Sequence, residues 1–307
     1  MKRVLGWTLA LLLIGAALGY LHGQLPEVRR VARSVHPAWG LVAGAAALVL
    51  CTYALLIEGW RRTLAALGGH LSPARAAAIW LGSNLARYLP LSGWQLGAMS
   101  LMAQRQSVPV AVSAGASVLI TIVNLFSGLA VFIAASASAP TLSTGGRWFV
   151  AAGVLALGIA PFLLPQVERL GSRITGRTIM LPRMSGRPVM IAAIATTAAW
   201  ILYGVAFWVL AHALLPTVHP PLSACIAIYV GSYLAGLIAF LPPAGLGVAE
   251  GAMLALSAQL GTFSPVQAGL LAIVVRVGRT LLEIVPGVIA LSLAAIHDRR
   301  APDADFR

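Results

Sequence analysis

The chain has 307 residues, 59% of them hydrophobic and only 9% charged, where soluble domains run to about a quarter charged. A soluble core cannot absorb that composition, and the apolar runs are continuous rather than alternating, so membrane-spanning helices are expected instead of strands. The formal charge of +13 falls mostly on arginines in short segments beside apolar runs, a pattern of positive-inside topology and contact with anionic lipid that argues against a nucleic-acid binder.

A first run at 4–21 follows Met1-Lys2-Arg3. No convincing small-x-small cleavage site lies beyond so long a run, so an uncleaved first span is expected rather than a signal peptide. Apolar segments follow at 39–57, 76–89, 108–135, 148–164, 189–214, 222–241 and 265–296. Two more, 94–103 and 248–260, are too short to cross a hydrocarbon layer about 30 Å thick at about 1.5 Å per residue. Each follows a Pro/Gly break, Leu89-Pro90-Leu91-Ser92-Gly93 in one case and Leu241-Pro242-Pro243-Ala244-Gly245-Leu246-Gly247 in the other. Cys51 and Cys225 lie within apolar runs as packing residues, and neither a disulfide nor a metal site is expected.

The breaks belong to an internal repeat. Ile79-Trp80-Leu81-Gly82-Ser83-Asn84-Leu85-Ala86 matches Ile228-Tyr229-Val230-Gly231-Ser232-Tyr233-Leu234-Ala235 at one offset, and Leu89-Pro90, Gly97-Ala98-Met99 and Pro109-Val110 match Leu241-Pro242, Gly251-Ala252-Met253 and Pro265-Val266. Each unit then holds a long span, a helix, a break, a short helix and another long span. If each broken pair is a re-entrant hairpin, unit plus linking span makes an odd number of crossings and the second unit is inverted. The expected fold is an all-α polytopic membrane protein with an inverted internal repeat and two opposed, Pro/Gly-broken re-entrant hairpins. It forms one transmembrane domain over 1–307: first span and loop 1–38, repeat units 39–147 and 189–296, a linking span with a basic loop at 148–188, and a tail at 297–307.

Charge supports that parity. With the N-terminus cytoplasmic, Arg61, Arg62, Arg75, the arginines of 165–188 and the tail fall inside, while 136–146 and 215–221, which hold no Lys or Arg, fall outside. Arg29, Arg30 and Arg33 disagree. Full crossings by the short helices would give the same loop sides, so helix length is what favours hairpins. Both termini are expected on the cytoplasmic side of a bacterial inner membrane.

Charges at membrane depth cost several kcal/mol and are functional candidates by default. Arg87 precedes the first break, Glu250 follows the second, and Arg276, Arg279 and Glu283 share one face of the last span at i, i+3 and i+7. Opposed hairpins would gather these five at the midplane. Two glutamates cannot neutralise three arginines, so an anionic ligand is expected there. Arg87 is expected to meet a lipid phosphate, and Glu250 to pair with Arg276 or Arg279. Gly245, Gly247 and Gly251 would let backbone amides approach the anion at a half-helix N-terminus. The alternative for every one of these charges is a buried ion pair that only fixes packing. Asn84, Tyr88, Gln95, Asn124 and Tyr233 are candidate cavity-lining residues, or else ordinary interhelical glue. His70 and His219 are expected as capping or surface residues, and the tryptophans as interfacial anchors or packing groups.

No nucleophile elbow, Walker loop, metal-ligand spacing or dinucleotide turn is present, so no enzyme activity and no cofactor are expected. Ala86-Arg87-Tyr88-Leu89-Pro90 followed by Gly93-Trp94-Gln95, and Leu241 to Gly251, resemble the two motifs of the lysylphosphatidylglycerol synthase/flippase transmembrane domain family. The resemblance spans most of the chain. It implies a flippase-like domain that moves a phospholipid or another lipid-linked anionic headgroup, and it carries over Arg87, Gly245, Gly247, Glu250 and Gly251, with Arg276 and Glu283 as looser matches. Leu91-Ser92 replaces the family's Gly-Lys, and the acidic residue of the following span is absent around 120–123. The family's soluble aminoacyl-transferase domain is not in these residues, so synthesis of an aminoacylated lipid is not expected. Membrane lipids are the expected partners; a homo-oligomer or an envelope-biosynthesis partner both stay open. The rival reading is a non-transporting scaffold for envelope lipid or glycan synthesis, and a membrane-embedded transferase lacks an evident general base.

Overall fold

A computed structural model describes residues 36–88, 94–137, 186–238 and 245–300. The expected spans at 4–21 and 148–164, nearly all of the basic loop, the first break, most of the second and the end of the tail lie outside the described residues. Among those described, all regular structure is helical.

Helix α1, Trp39–Ala66, is 28 residues long, about 42 Å at 1.5 Å per residue. It continues nine residues past the expected end at 57, because the polar turns that follow stabilise themselves. Glu58 accepts from Arg61 Nε at 2.7 Å and from Arg62 Nε at 2.6 Å, the i+3 and i+4 neighbours on a helix surface. Helix α2, Pro73–Asn84, starts where the Ser72 hydroxyl accepts from the Arg75 amide and Pro73 takes the first turn. A 3-10 turn, Leu85–Tyr88, carries it toward the first break. Helices α3, Trp94–Gln104, and α4, Val110–Ser136, follow. The second half is α5, Gly186–Leu214, α6, Leu222–Ile238, α7, Val248–Gln259, and α8, Pro265–Arg300. The two expected short helices are therefore present as α3 and α7, and the last helix, 36 residues with Pro286 inside, is unbroken.

Length and apolar composition make α1, α4 and α5 able to cross a membrane. Val277, Leu281, Val285 and Val288 of α8 and Met190, Ile194 and Ile201 of α5 are exposed at helical spacing, the side a hydrocarbon solvent would cover. The opposite stripes build the core. Tyr53, Leu56, Trp60 and Leu64 of α1 join one core cluster with Trp200, Tyr203 and Phe207 of α5, and α1 with α5 is the largest helix pairing among the described residues.

The packing exchanges partners between halves: α2 lies on α8, and α6 lies on α4. Gly82 and Gly231, which the expected repeat pairs, are both closely approached by another helix. A Cβ on Gly82 would come within 2.6 Å of Leu291 in α8, and one on Gly231 within 2.7 Å of Phe132 in α4. Such close approach is how helices gain contact in a medium as apolar as their side chains. The exchange is uneven. Helix α4 packs closely on α5, whereas α8 touches α1 sparsely, leaving a cavity of about 110 Å³ bordered by Val42, Ala45, Phe207, Val274 and Gly278.

Candidate functional site

The 3-10 turn delivers Arg87 to α8. Glu283, with 2% of its side chain exposed, places one carboxylate oxygen 2.9 Å from Arg87 Nη1 and 2.9 Å from Arg279 Nε. One face of α8 thus supplies both an internal i,i+4 pair and an anchor for the end of α2. The Arg279 guanidinium also stacks on Tyr233, 4.1 Å from the ring centroid, a contact that strengthens as water is removed. Beside this triad, Glu250 Oε1 lies 3.6 Å from Arg276 Nη1. The second Glu250 oxygen accepts from the Gly247 amide at 2.7 Å, capping α7 with its own side chain.

Arg276, Arg279 and Glu283 therefore share an inward face, and Glu250 pairs with Arg276, both as expected. The partner of Arg87 differs from expectation. It is Glu283, 196 positions away, so this guanidinium does not depend on a ligand for its counter-charge. The amide expected to face an outside anion is likewise engaged, because Glu250 is the anion at the α7 N-terminus. Among the described residues, three guanidinia and two carboxylates leave the centre one positive charge in excess.

The motif glycines have separate roles. Gly245, at φ +67, packs its backbone on Gly236, where any Cβ would fall 2.6 Å from a carbonyl oxygen. Gly247, at φ +82, forms the cap. Gly251 is exposed with open space around its Cβ position. Tyr88 lies in the 3-10 turn, and its side chain is outside the described residues.

Arg87 and Glu250 border different cavities. Glu250, Arg276 and Arg279 border a narrow one of about 30 Å³. Arg87 borders a larger one of about 110 Å³ together with Asn84, Gln95, Asn124 and Tyr233, which brings four of the five candidate lining residues to one place. Gln95 Nε2 donates to Asn84 Oδ1 at 2.6 Å, tying the start of α3 to the end of α2 across the break. The Asn124 carbonyl accepts from Trp200 Nε1 at 2.8 Å. At about 10–15 Å³ per water, the cavity holds several waters or a small headgroup, not a whole lipid.

Sequence reasoning missed the aromatic wall. Tyr203 stacks on Tyr229 at 5.6 Å between centroids and meets Tyr53 edge-on at 6.4 Å, while Trp200 meets Tyr233 edge-on at 5.0 Å. The i,i+4 pair Tyr229 and Tyr233 was the available signal; Tyr53 and Tyr203 are single tyrosines inside apolar runs. His70 and His219 are exposed, and both cysteines are free thiols.

A search of curated proteins finds no match to the chain. The sequence profile for the lysylphosphatidylglycerol synthase TM region matches residues 4–287, nearly the whole length. The helical membrane architecture agrees with that match, and the chain belongs to the lysylphosphatidylglycerol synthase TM region family, a lipid-related membrane domain.

Proposed function

We propose that the chain moves an anionic phospholipid, or another lipid-linked anionic headgroup, between the leaflets of the inner membrane. The observation that carries this reading is the positive excess of the Arg87–Glu283–Arg279 cluster beside a polar cavity. Buried charge without full compensation is costly, and a phosphate entering beside Arg87 supplies the missing negative charge. The sparse α1–α8 contact supports a route for the tail, since the cavity between them is walled by aliphatic and aromatic side chains and ends at Arg279. The matched glycines and the exchange of α2 and α6 support an inverted repeat, with the short helices α3 and α7 as the returning arms of opposed hairpins.

In the scaffold reading, the ion pairs of all three arginines serve packing alone. Mass spectrometry of lipids carried through gentle purification separates the two readings. Transport requires a stoichiometric anionic lipid that Arg87→Gln loses. Retention of the same lipid profile by Arg87→Gln favours the scaffold.

A further inference from the structure

The cavity beside Arg87 has a chemistry of its own. Tyr53 borders it with 5% of its surface exposed, and its hydroxyl finds no hydrogen-bond partner. Such a group costs roughly 1–3 kcal/mol when left unsatisfied, so it marks a place where a polar partner is missing. The Asn84 and Gln95 amides bond to each other once, which leaves the Asn84 Nδ2 donor and the Gln95 Oε1 acceptor for a second partner. Asn124 and Thr196 border the same space. Among the described residues no carboxylate does: the wall at the start of the neighbouring span is Ile120 and Thr121. The two breaks, 89–93 and 239–244, contain no Asp or Glu. Glu283 is already held by two arginines.

We infer that this cavity takes a phosphate ester whose other end is a neutral, hydroxyl-bearing group such as a glycerol or a sugar, and that it rejects cationic headgroups. Arg87 reads the phosphate. Tyr53, Asn84 and Gln95 exchange donors and acceptors with hydroxyls, which are both. An ammonium meets no carboxylate among the described lining residues and stands beside the excess positive charge of the arginine cluster. An aromatic cage for a quaternary amine is also blocked, because Arg279 already occupies the Tyr233 face at 4.1 Å. This deepens the proposed function and rests on its assignment of the Arg87 cavity to a headgroup.

The test is binding, not transport, so the two readings fail separately. Full-length protein in detergent is titrated with short-chain phosphatidylglycerol, its lysyl ester and phosphatidylcholine, and separately with soluble glycerol 1-phosphate, by native mass spectrometry. Phosphatidylglycerol is expected to bind at least about tenfold more tightly than either cationic headgroup. Tyr53→Phe should cut that affinity about two- to tenfold, the range of one hydrogen bond, without lowering the thermal midpoint, since no protein group bonds the hydroxyl. Asn84→Asp should shift the preference toward the lysyl ester by supplying the missing carboxylate. Binding of glycerol 1-phosphate equal to the lipid's assigns the site to a soluble ester, and lipid-only binding assigns it to the membrane; the recognised chemistry is the same. Equal or tighter binding of the lysyl ester or of phosphatidylcholine to the unaltered protein overturns the inference, as does unchanged phosphatidylglycerol affinity in Tyr53→Phe.

Discussion

Replacing Glu283 with Gln removes the carboxylate that bridges Arg87 and Arg279. Both guanidinia lie 2.9 Å from the same oxygen, and their side chains are 19% and 17% exposed, so water replaces the lost partner only in part. Breaking a buried pair from one side costs about 3–5 kcal/mol. The residual exposure of the arginines places Glu283→Gln near the lower end, about 3 kcal/mol. The triple change Glu283→Met, Arg87→Met and Arg279→Met removes all three charges, and such replacements are about neutral or stabilising when the new side chains pack. Thermal denaturation in detergent, followed by loss of the monodisperse chromatographic peak, reads both. A midpoint for Glu283→Gln equal to that of the unaltered protein would refute the bridging role of Glu283.

Arg87→Gln should be far milder for stability, about 1 kcal/mol, because Glu283 keeps Arg279; the same denaturation assay checks it. Glu250→Gln weakens both the α7 cap and the Arg276 pair, and should cost about 2–4 kcal/mol by the same readout. Gly245→Ala meets a carbonyl oxygen and a positive φ, and should cost at least about 1–3 kcal/mol, while Gly251→Ala, with open space around it, should be neutral or stabilising by about 0.5–1 kcal/mol. In intact cells, a cysteine at Ser172 in a Cys51→Ser background should resist membrane-impermeant reagents, and strong labelling would reverse the proposed orientation.

The helices were legible where composition changes sharply. Pro109-Val110 and Pro265-Val266 open α4 and α8 at the expected places, and the Pro/Gly breaks separate α3 and α7 from their predecessors. Residues 276, 279 and 283 were readable as one face, since helical spacing needs no tertiary information. The end of α1 was misjudged because the apolar run stops at 57 while Glu58 and its two arginines carry the helix on to Ala66. The Arg87–Glu283 pair was out of reach. Local spacing says nothing about residues 196 positions apart, and charge counting alone assigned Glu283 to one arginine rather than two. Glu250 was seen as a buried partner but not as the cap of its own helix, although Gly247 followed three residues later by Glu has the capping-box spacing. Tyr53 and Tyr203 carry no signal in an apolar run, because their side chains are apolar over most of their surface.

The central claim is that the charge left over at Arg87, Arg279 and Glu283 serves an anionic headgroup in transit. Translocation of a fluorescent short-chain phosphatidylglycerol in proteoliposomes, read by external quenching, tests it most directly. The account predicts movement well above that of protein-free liposomes, and a loss of about tenfold to a hundredfold in Arg87→Gln, the value of one charge-assisted hydrogen bond, with the variant still folded. Movement at the protein-free rate, or full activity in a folded Arg87→Gln, would contradict it.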